Sequence, residues 1–235
     1  MMEVKIGIIG AMDEEILYLK NAMEEMREEN GIFFGKISGK NVILARSGIG
    51  KVNAALCADR LIREHGATHV INTGIAGAMK KGLRVLDFVA STDALYHDFD
   101  VTGFGYEPTV IPRMEKSAFP ADENLLCAVQ EAFLALSGAE PFLNHNLVLG
   151  RIASGDQFIS NREAKERIQT VCSPSCVEME GAAIAHACFL NKTPFLILRC
   201  MSDMADDGEE ESYKFNDKIA AEMSARLVEQ LITKI

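Results

Sequence analysis

NVILARSGIGKVNAALCADRLIREHG, residues 41–66, reads as a single strand–turn–helix unit. Its opening NVILA is apolar along its length instead of alternating, which suits a strand in a sheet covered on both faces. SGIG then turns the chain. KVNAALCADRLIREH carries apolar residues at helical spacing, and Gly66 supplies the stop. Moving outward, the same order recurs. VKIGIIG (4–10) is a short apolar run ending in glycine, and MDEEILYLKNAMEEMREEN (12–30) follows it with helical periodicity. THVINTGIAG (68–77) again runs an apolar strand into glycine. VLDFVAS (85–91), LVLGRIASGD (147–156) and PFLILRCMSD (194–203) are further β-rich runs. Helices are expected over 122–136, 161–171, 181–190 and 212–235. Alternation of this kind predicts an α/β three-layer domain. No linker rich in Pro, Ser or Gly interrupts it, so residues 1–235 are expected to form one domain.

The chain's 235 residues are 48% hydrophobic and 25% charged, an ordinary soluble balance that allows a continuous core. No stretch approaches the roughly 20 apolar residues that span a bilayer. The first residues lack a signal peptide's order of basic, apolar and small residues. A net charge of -10 argues against a broad nucleic-acid surface. The six cysteines form no CxxC pair with matching histidines, so they are expected to be reduced core residues of a cytoplasmic protein, with no zinc site. The five histidines are scattered. His97, in YHDFD, is the one in a polar cluster and reads as an ordinary hydrogen-bonded histidine.

Ligands of α/β sheets bind at the carboxyl ends of the strands. GAMDEE, SGIGK, NTGIAG, SGDQFI, VEMEG and CMSD stand at such ends. SGIGK has the wrong spacing for a Walker A loop, and GIIGAM lacks GxGxxG. Taken singly, each feature has a structural explanation. Asp13, Glu14 and Glu15 suit a helix N-terminus, and Asp203 suits a cap. Acids at three separate strand ends together suggest one pocket for acid–base chemistry. CVEMEGAAIAHA (176–187) sharpens the point, because Glu178 and Glu180 sit in a small, apolar run where burial of a carboxylate is costly.

GIIGAMDEE, SGIGKVNAA, NTGIAG, YHDFDVTGFGYE, SGDQFI, VEMEGAAIAH and RCMSDMAD occur in this order. The set resembles the bacterial 5′-methylthioadenosine/S-adenosylhomocysteine nucleosidases of the nucleoside phosphorylase superfamily, from about Lys5 to the last helix. The resemblance implies a nucleoside phosphorylase-like α/β/α domain around a mixed central sheet, acting as a homodimer without metal or cofactor. The implied reaction hydrolyses the N-glycosidic bond, giving adenine and a 5-thio-substituted ribose, in methionine salvage and in recycling of S-adenosylmethionine by-products.

On matching positions, Glu15 resembles the base that activates water and Asp203 the acid that protonates N7 of adenine. Ser202 would orient Asp203, and Arg199 would at most support it. Glu180 resembles the ribose-binding carboxylate, close to the developing sugar cation, and Met179 the residue beneath the ribose. Phe158 resembles the ring stacked on adenine, and the Ile159 backbone the reader of its polar edge. Ala76 and Gly77 let the backbone approach closely. Met12, Ile49, Val101, Phe104, Pro112, Phe158 and Tyr213 match the apolar pocket for the 5′-substituent. Of these, Val101, Phe104 and Pro112 would come from the partner subunit. Ile75 stands where many relatives have serine, and Tyr213 where phenylalanine is frequent.

Two other functions compete. A purine nucleoside phosphorylase of the same superfamily needs a basic pocket for phosphate, whereas the first strand end offers Asp13, Glu14 and Glu15, and NTGIAGAM reaches no base before Lys80. Coulomb repulsion opposes phosphate beside Glu15. A non-catalytic nucleoside-binding domain could keep the glycines and the aromatic ring, but it has no need of Glu15 together with Asp203.

Overall fold

The computed structural model describes residues 3–205 and 210–235, without the side chains of 210–215. Part of the acidic run DDGEEES (206–212), residues 206–209, therefore lies outside the described residues, as does the Tyr213 side chain. Residues 210–212 open the last helix.

The sheet is mixed, and eleven strands are present among the described residues. Its parallel centre is β1 (Lys5–Gly10) between β4 (Lys40–Arg46) and β5 (His69–Asn72). The long strand β11 (Phe195–Asp203) continues it parallel to β5. Farther along, β11 pairs with β7 (Phe88–Tyr96) and with β6 (Ile75–Ala78). β6 pairs with β10 (Cys176–Glu178), β10 with β9 (Leu147–Ser154), and β9 with β7. Those five strands close a ring, so this half of the sheet curls on itself. β8 (Ala118–Pro120) hangs on β7.

Helices cover the sheet in two groups. α2 (Lys51–Arg63) packs against α5 (Gly181–Asn191). α6 (Glu210–Ile232) packs against α1 (Asp13–Ala22) and α3 (Glu123–Leu136). α4 (Arg162–Cys172) completes the set. The apolar character of the central strands is explained by this cover: Ile6, Ile8 and Ile9 of β1, and Leu196, Ile197 and Leu198 of β11, have no exposed surface. α5 is rich in alanine, and Ala182, Ala183 and Ala185 bury completely or nearly so, letting the helix lie close to the sheet.

One expectation is overturned. The helical pattern over 12–30 ends at Ala22, and Glu24–Glu29 forms strand β2, antiparallel to β3 (Ile32–Ile37). Asn30 and Gly31 both adopt positive φ (51° and 77°), the requirement of a tight hairpin turn. The Asn-Gly pair outweighs the helix propensity of EEMREE. β2 is exposed along its whole length and lines the sheet edge with charge, a feature that discourages pairing with other chains.

Candidate active site

A small cavity of about 100 Å³ opens where β1, β6, β10 and β11 deliver their ends. Around it stand Met12, Glu15, Ile49, Ala76, Gly77, Phe158, Met179, Glu180, Ser202 and Asp203, all expected from the sequence, joined by Ala11, Ile75, Val177 and Glu178. Ile159 is buried in the small apolar cluster beside it rather than in its wall. Val101, Phe104 and Pro112 do not reach it within this chain; Phe104 is 85% exposed on a single 3-10 turn, Thr102–Phe104.

Glu15 occupies the third position of α1 and is buried. Its Oε2 accepts hydrogen bonds from the backbone N–H groups of Ala11 (2.6 Å) and Met12 (3.1 Å), and Oε1 from that of Ile75 (3.0 Å). Three rigid donors from the ends of two strands thus fix its rotamer. Burial pushes the carboxyl above its ordinary range, against the pull of the Arg199 guanidinium and those N–H groups. Gly74 makes this possible, because a Cβ there would collide with Glu15 Oε1 and lie 2.9 Å from Arg199 Nη1.

The two acids of CVEME diverge. Glu178 pairs with the buried Arg199 and accepts from the Ser154 hydroxyl, and its Oε2 also takes the N–H groups of Glu180 (3.1 Å) and Gly181 (2.7 Å) at the start of α5. Burial raises its pKa, but the Arg199 charge and these donors outweigh burial and hold it below the usual carboxylate value. Arg199 is held in turn by Asn72 Oδ1 at 2.6 Å, and Asn72 donates to the Ile9 carbonyl at 2.8 Å. Glu180 has less support. Its Oε1 accepts the Gly50 N–H at 2.9 Å, and its Oε2 lies 4.0 Å from Arg199. Burial and the negative Glu178 push its pKa up to about 7. One buried guanidinium therefore faces three glutamates, and the two that line the cavity without a close ion pair are the ones displaced toward the neutral form.

Asp203 sits where β11 bulges, its register shifting between Met201 and Asp203 against β6. Its Oδ2 accepts from Ser202 Oγ (2.8 Å) and its Oδ1 from the Ala205 N–H (2.7 Å). A Cβ on Gly77 would lie 2.9 Å from Asp203 Oδ1 and 2.8 Å from Ala205 Cβ, so the glycine preserves this geometry. No lysine, arginine or histidine is present among the described residues that line the cavity. The arrangement offers a fixed carboxylate base on one wall, an oriented acid on another, and a third carboxylate between apolar surfaces.

Sequence reasoning assigned nothing to Asn72 or Ser154, although both fall inside quoted motifs. They touch Arg199, Glu178 and the α5 N-terminus, and their role becomes visible only when β5, β9 and β11 are assembled.

Residues 5–233 match the family model described as the phosphorylase superfamily. The chain is 40% identical to a 5′-methylthioadenosine/S-adenosylhomocysteine nucleosidase of Psychromonas ingrahamii, over 99% of this chain and 100% of that one. Among solved structures it is similar to the nucleosidase of that name from Neisseria meningitidis in complex with methylthio-immucillin-A (TM-score 0.92, 38% identity, 98% of this chain and 99% of that chain). It is also similar to the futalosine hydrolase of Helicobacter pylori (TM-score 0.88, 32% identity, 99% and 98%).

Proposed function

The chain belongs to the phosphorylase superfamily and, within it, to the 5′-methylthioadenosine/S-adenosylhomocysteine nucleosidases; from that premise we propose how its residues divide the reaction. It hydrolyses the N-glycosidic bond of methylthioadenosine and S-adenosylhomocysteine, releasing adenine and a 5-thio-substituted ribose.

Cleaving this bond requires a proton on the leaving base, negative charge near an oxocarbenium-like sugar, and an activated water. Asp203 delivers the proton to N7 of adenine, with Ser202 and the Ala205 N–H orienting its carboxyl group. Glu15, fixed by three backbone donors, accepts a proton from water as the water attacks the anomeric carbon. Glu180 binds the ribose hydroxyls and faces the developing cation. Phe158 stacks on adenine, the backbone of Ile159 reads its edge, Met179 packs under the sugar, and Ala76 and Gly77 admit the substrate closely. Met12 and Ile49 meet the 5′-substituent.

The observation that carries this assignment is a cavity wall holding carboxylates and, among the described residues, no basic side chain. Water gains from a base in that setting, whereas phosphate meets repulsion. The rest of the 5′ pocket comes from Val101, Phe104 and Pro112 of a second copy. The exposure of Phe104, together with exposed Val52, Leu56 and Leu190, supports a homodimer in which residues 1–235 act as one catalytic domain. Free cysteines support a cytoplasmic setting. No helix among the described residues is long and apolar enough to cross a membrane.

Chromatography of adenine released from methylthioadenosine tests the assignment. The wild type should turn over, and Asp203→Asn should lower kcat by about a hundredfold or more while still folding. Near-normal turnover by Asp203→Asn contradicts its role as the acid. A wild type that binds nucleoside without releasing adenine would be a binding domain.

A further inference from the structure

Next to the cavity but outside its wall lies an ion-pair cluster that the reaction does not use. Lys51 begins α2, and its Nζ is 2.6 Å from Asp98 Oδ2 and 3.5 Å from Asp156 Oδ2. The Lys51 N–H donates to Asp156 Oδ1 (2.9 Å), and the Asp156 N–H donates to Asp98 Oδ2 (3.0 Å). Three chain segments meet here: the start of α2, the stretch after β7 and the stretch after β9. The ammonium and the Asp98 carboxylate are about three-quarters buried, with side-chain exposures of 26% and 22%, so solvent screens them less than a surface pair. Burial raises the Asp98 carboxyl, but the Lys51 ammonium and the Asp156 N–H overcome this and hold it below the ordinary range, as expected of a working ion pair.

The cluster grips the loop that enters α2. Just before Lys51, the Gly50 N–H reaches Glu180 Oε1, and Ile49 lines the cavity. The rest of the loop is tied to the end of β1, with Ser47 N–H on the Gly10 carbonyl (2.9 Å) and Gly48 N–H on the Ala11 carbonyl (3.1 Å). Gly50 itself adopts φ 97°, a conformation that favours glycine and needs outside contacts to hold it. Asp98 also stands a few residues before Val101 and Phe104, so the cluster joins the exposed stretch 102–104 to the carboxylate at the cavity.

We propose that Lys51, locked by Asp98 and Asp156, is a positioning residue for substrate binding: it holds the 47–50 loop so that the Gly50 N–H orients Glu180 and Ile49 closes over the nucleoside. Lys51 touches no reacting atom and acts through Gly50. The inference rests on the nucleosidase assignment above for its kinetic readout, and one measurement is independent of it.

That measurement is amide hydrogen exchange at Gly50 in the ligand-free protein. Lys51→Met should exchange there at least about tenfold faster than wild type, a loss of local protection, with core strands unchanged. Unchanged protection at Gly50 overturns the proposal. The kinetic arm follows methylthioadenosine hydrolysis by wild type, Lys51→Met, Asp98→Asn and the double variant, with thermal melting alongside. Each single variant should raise KM about tenfold with kcat within about threefold, the pattern of lost binding rather than lost chemistry. The double variant should match Lys51→Met, because that change already removes the ammonium that both carboxylates face. A fall in kcat and melting temperature at constant KM would make the cluster a structural strut, and multiplied effects would make the two residues independent; either result overturns the proposal. A wild type without turnover counts against the hydrolase assignment, and the exchange result then decides the clamp alone.

Discussion

Glu178 and Glu180 are two residues apart, yet their surroundings drive them in opposite directions. Glu178 is ionised and committed to Arg199, Ser154 and the α5 N-terminus, so it lines the cavity with its charge already paired. Glu180 is left with one N–H donor and a distant guanidinium, so its charge is poorly compensated. The consequence is measurable. Its folded-state carboxyl titrates at about 7 against an ordinary 4.5, so the folded protein holds an extra proton between those values. The stabilising contribution of this group is complete below the lower value and is lost as pH rises through the higher one. Glu180→Gln, always neutral, should therefore gain stability over wild type as pH rises from about 5 to about 8, by up to about 3 kcal/mol. Paired melting curves of the ligand-free proteins check this, and a difference independent of pH would contradict it. At this scale the sequence showed acids gathered at separate strand ends, and the family resemblance singled out Glu15, Glu180 and Asp203 among them. Composition and spacing alone did not separate Glu178 from Glu180, which only the resemblance distinguished, since the partner that sets them apart, Arg199, lies on another strand.

At the scale of elements, the strand–glycine–helix order was legible because β1, β4, β5 and β11 are covered on both faces and read as continuous apolar runs. The failures came where pairing outweighs propensity. β2 is glutamate-rich and exposed, its strand state being set by β3 and the Asn30–Gly31 turn. The closure of β6, β7, β9, β10 and β11 into a ring leaves no local signature at all, because it depends on pairings between distant segments. Within that ring β6 is the sensitive element. Gly77→Ala would place a methyl group 2.8 Å from Ala205 Cβ and 2.9 Å from Asp203 Oδ1. Overpacking of this kind costs about 1–3 kcal/mol. The variant should lose both denaturant stability and kcat as Asp203 is displaced, and a wild-type kcat would show that Asp203 geometry is not critical.

For the whole molecule, the proposed function leaves the site incomplete on one side. The described walls hold Glu15, Glu180 and Asp203, the proposed base, ribose ligand and acid, while Phe104 stands exposed away from them. On the proposed reading, a second copy would supply Phe104, and association would then be part of substrate binding. Phe104→Asp should shift sedimentation toward the monomer and raise KM for methylthioadenosine by about tenfold or more, in line with loss of a buried aromatic contact. A stable monomer with full activity would contradict this. The identity of the nucleophile decides the account as a whole, because the superfamily also includes phosphorylases, while this cavity presents Glu15 and no lining cation among the described residues. The most direct measurement is mass spectrometry of the sugar formed from methylthioadenosine, with and without added phosphate. The account predicts free 5-methylthioribose at the same rate in both; turnover only with phosphate, yielding the sugar 1-phosphate, would contradict it.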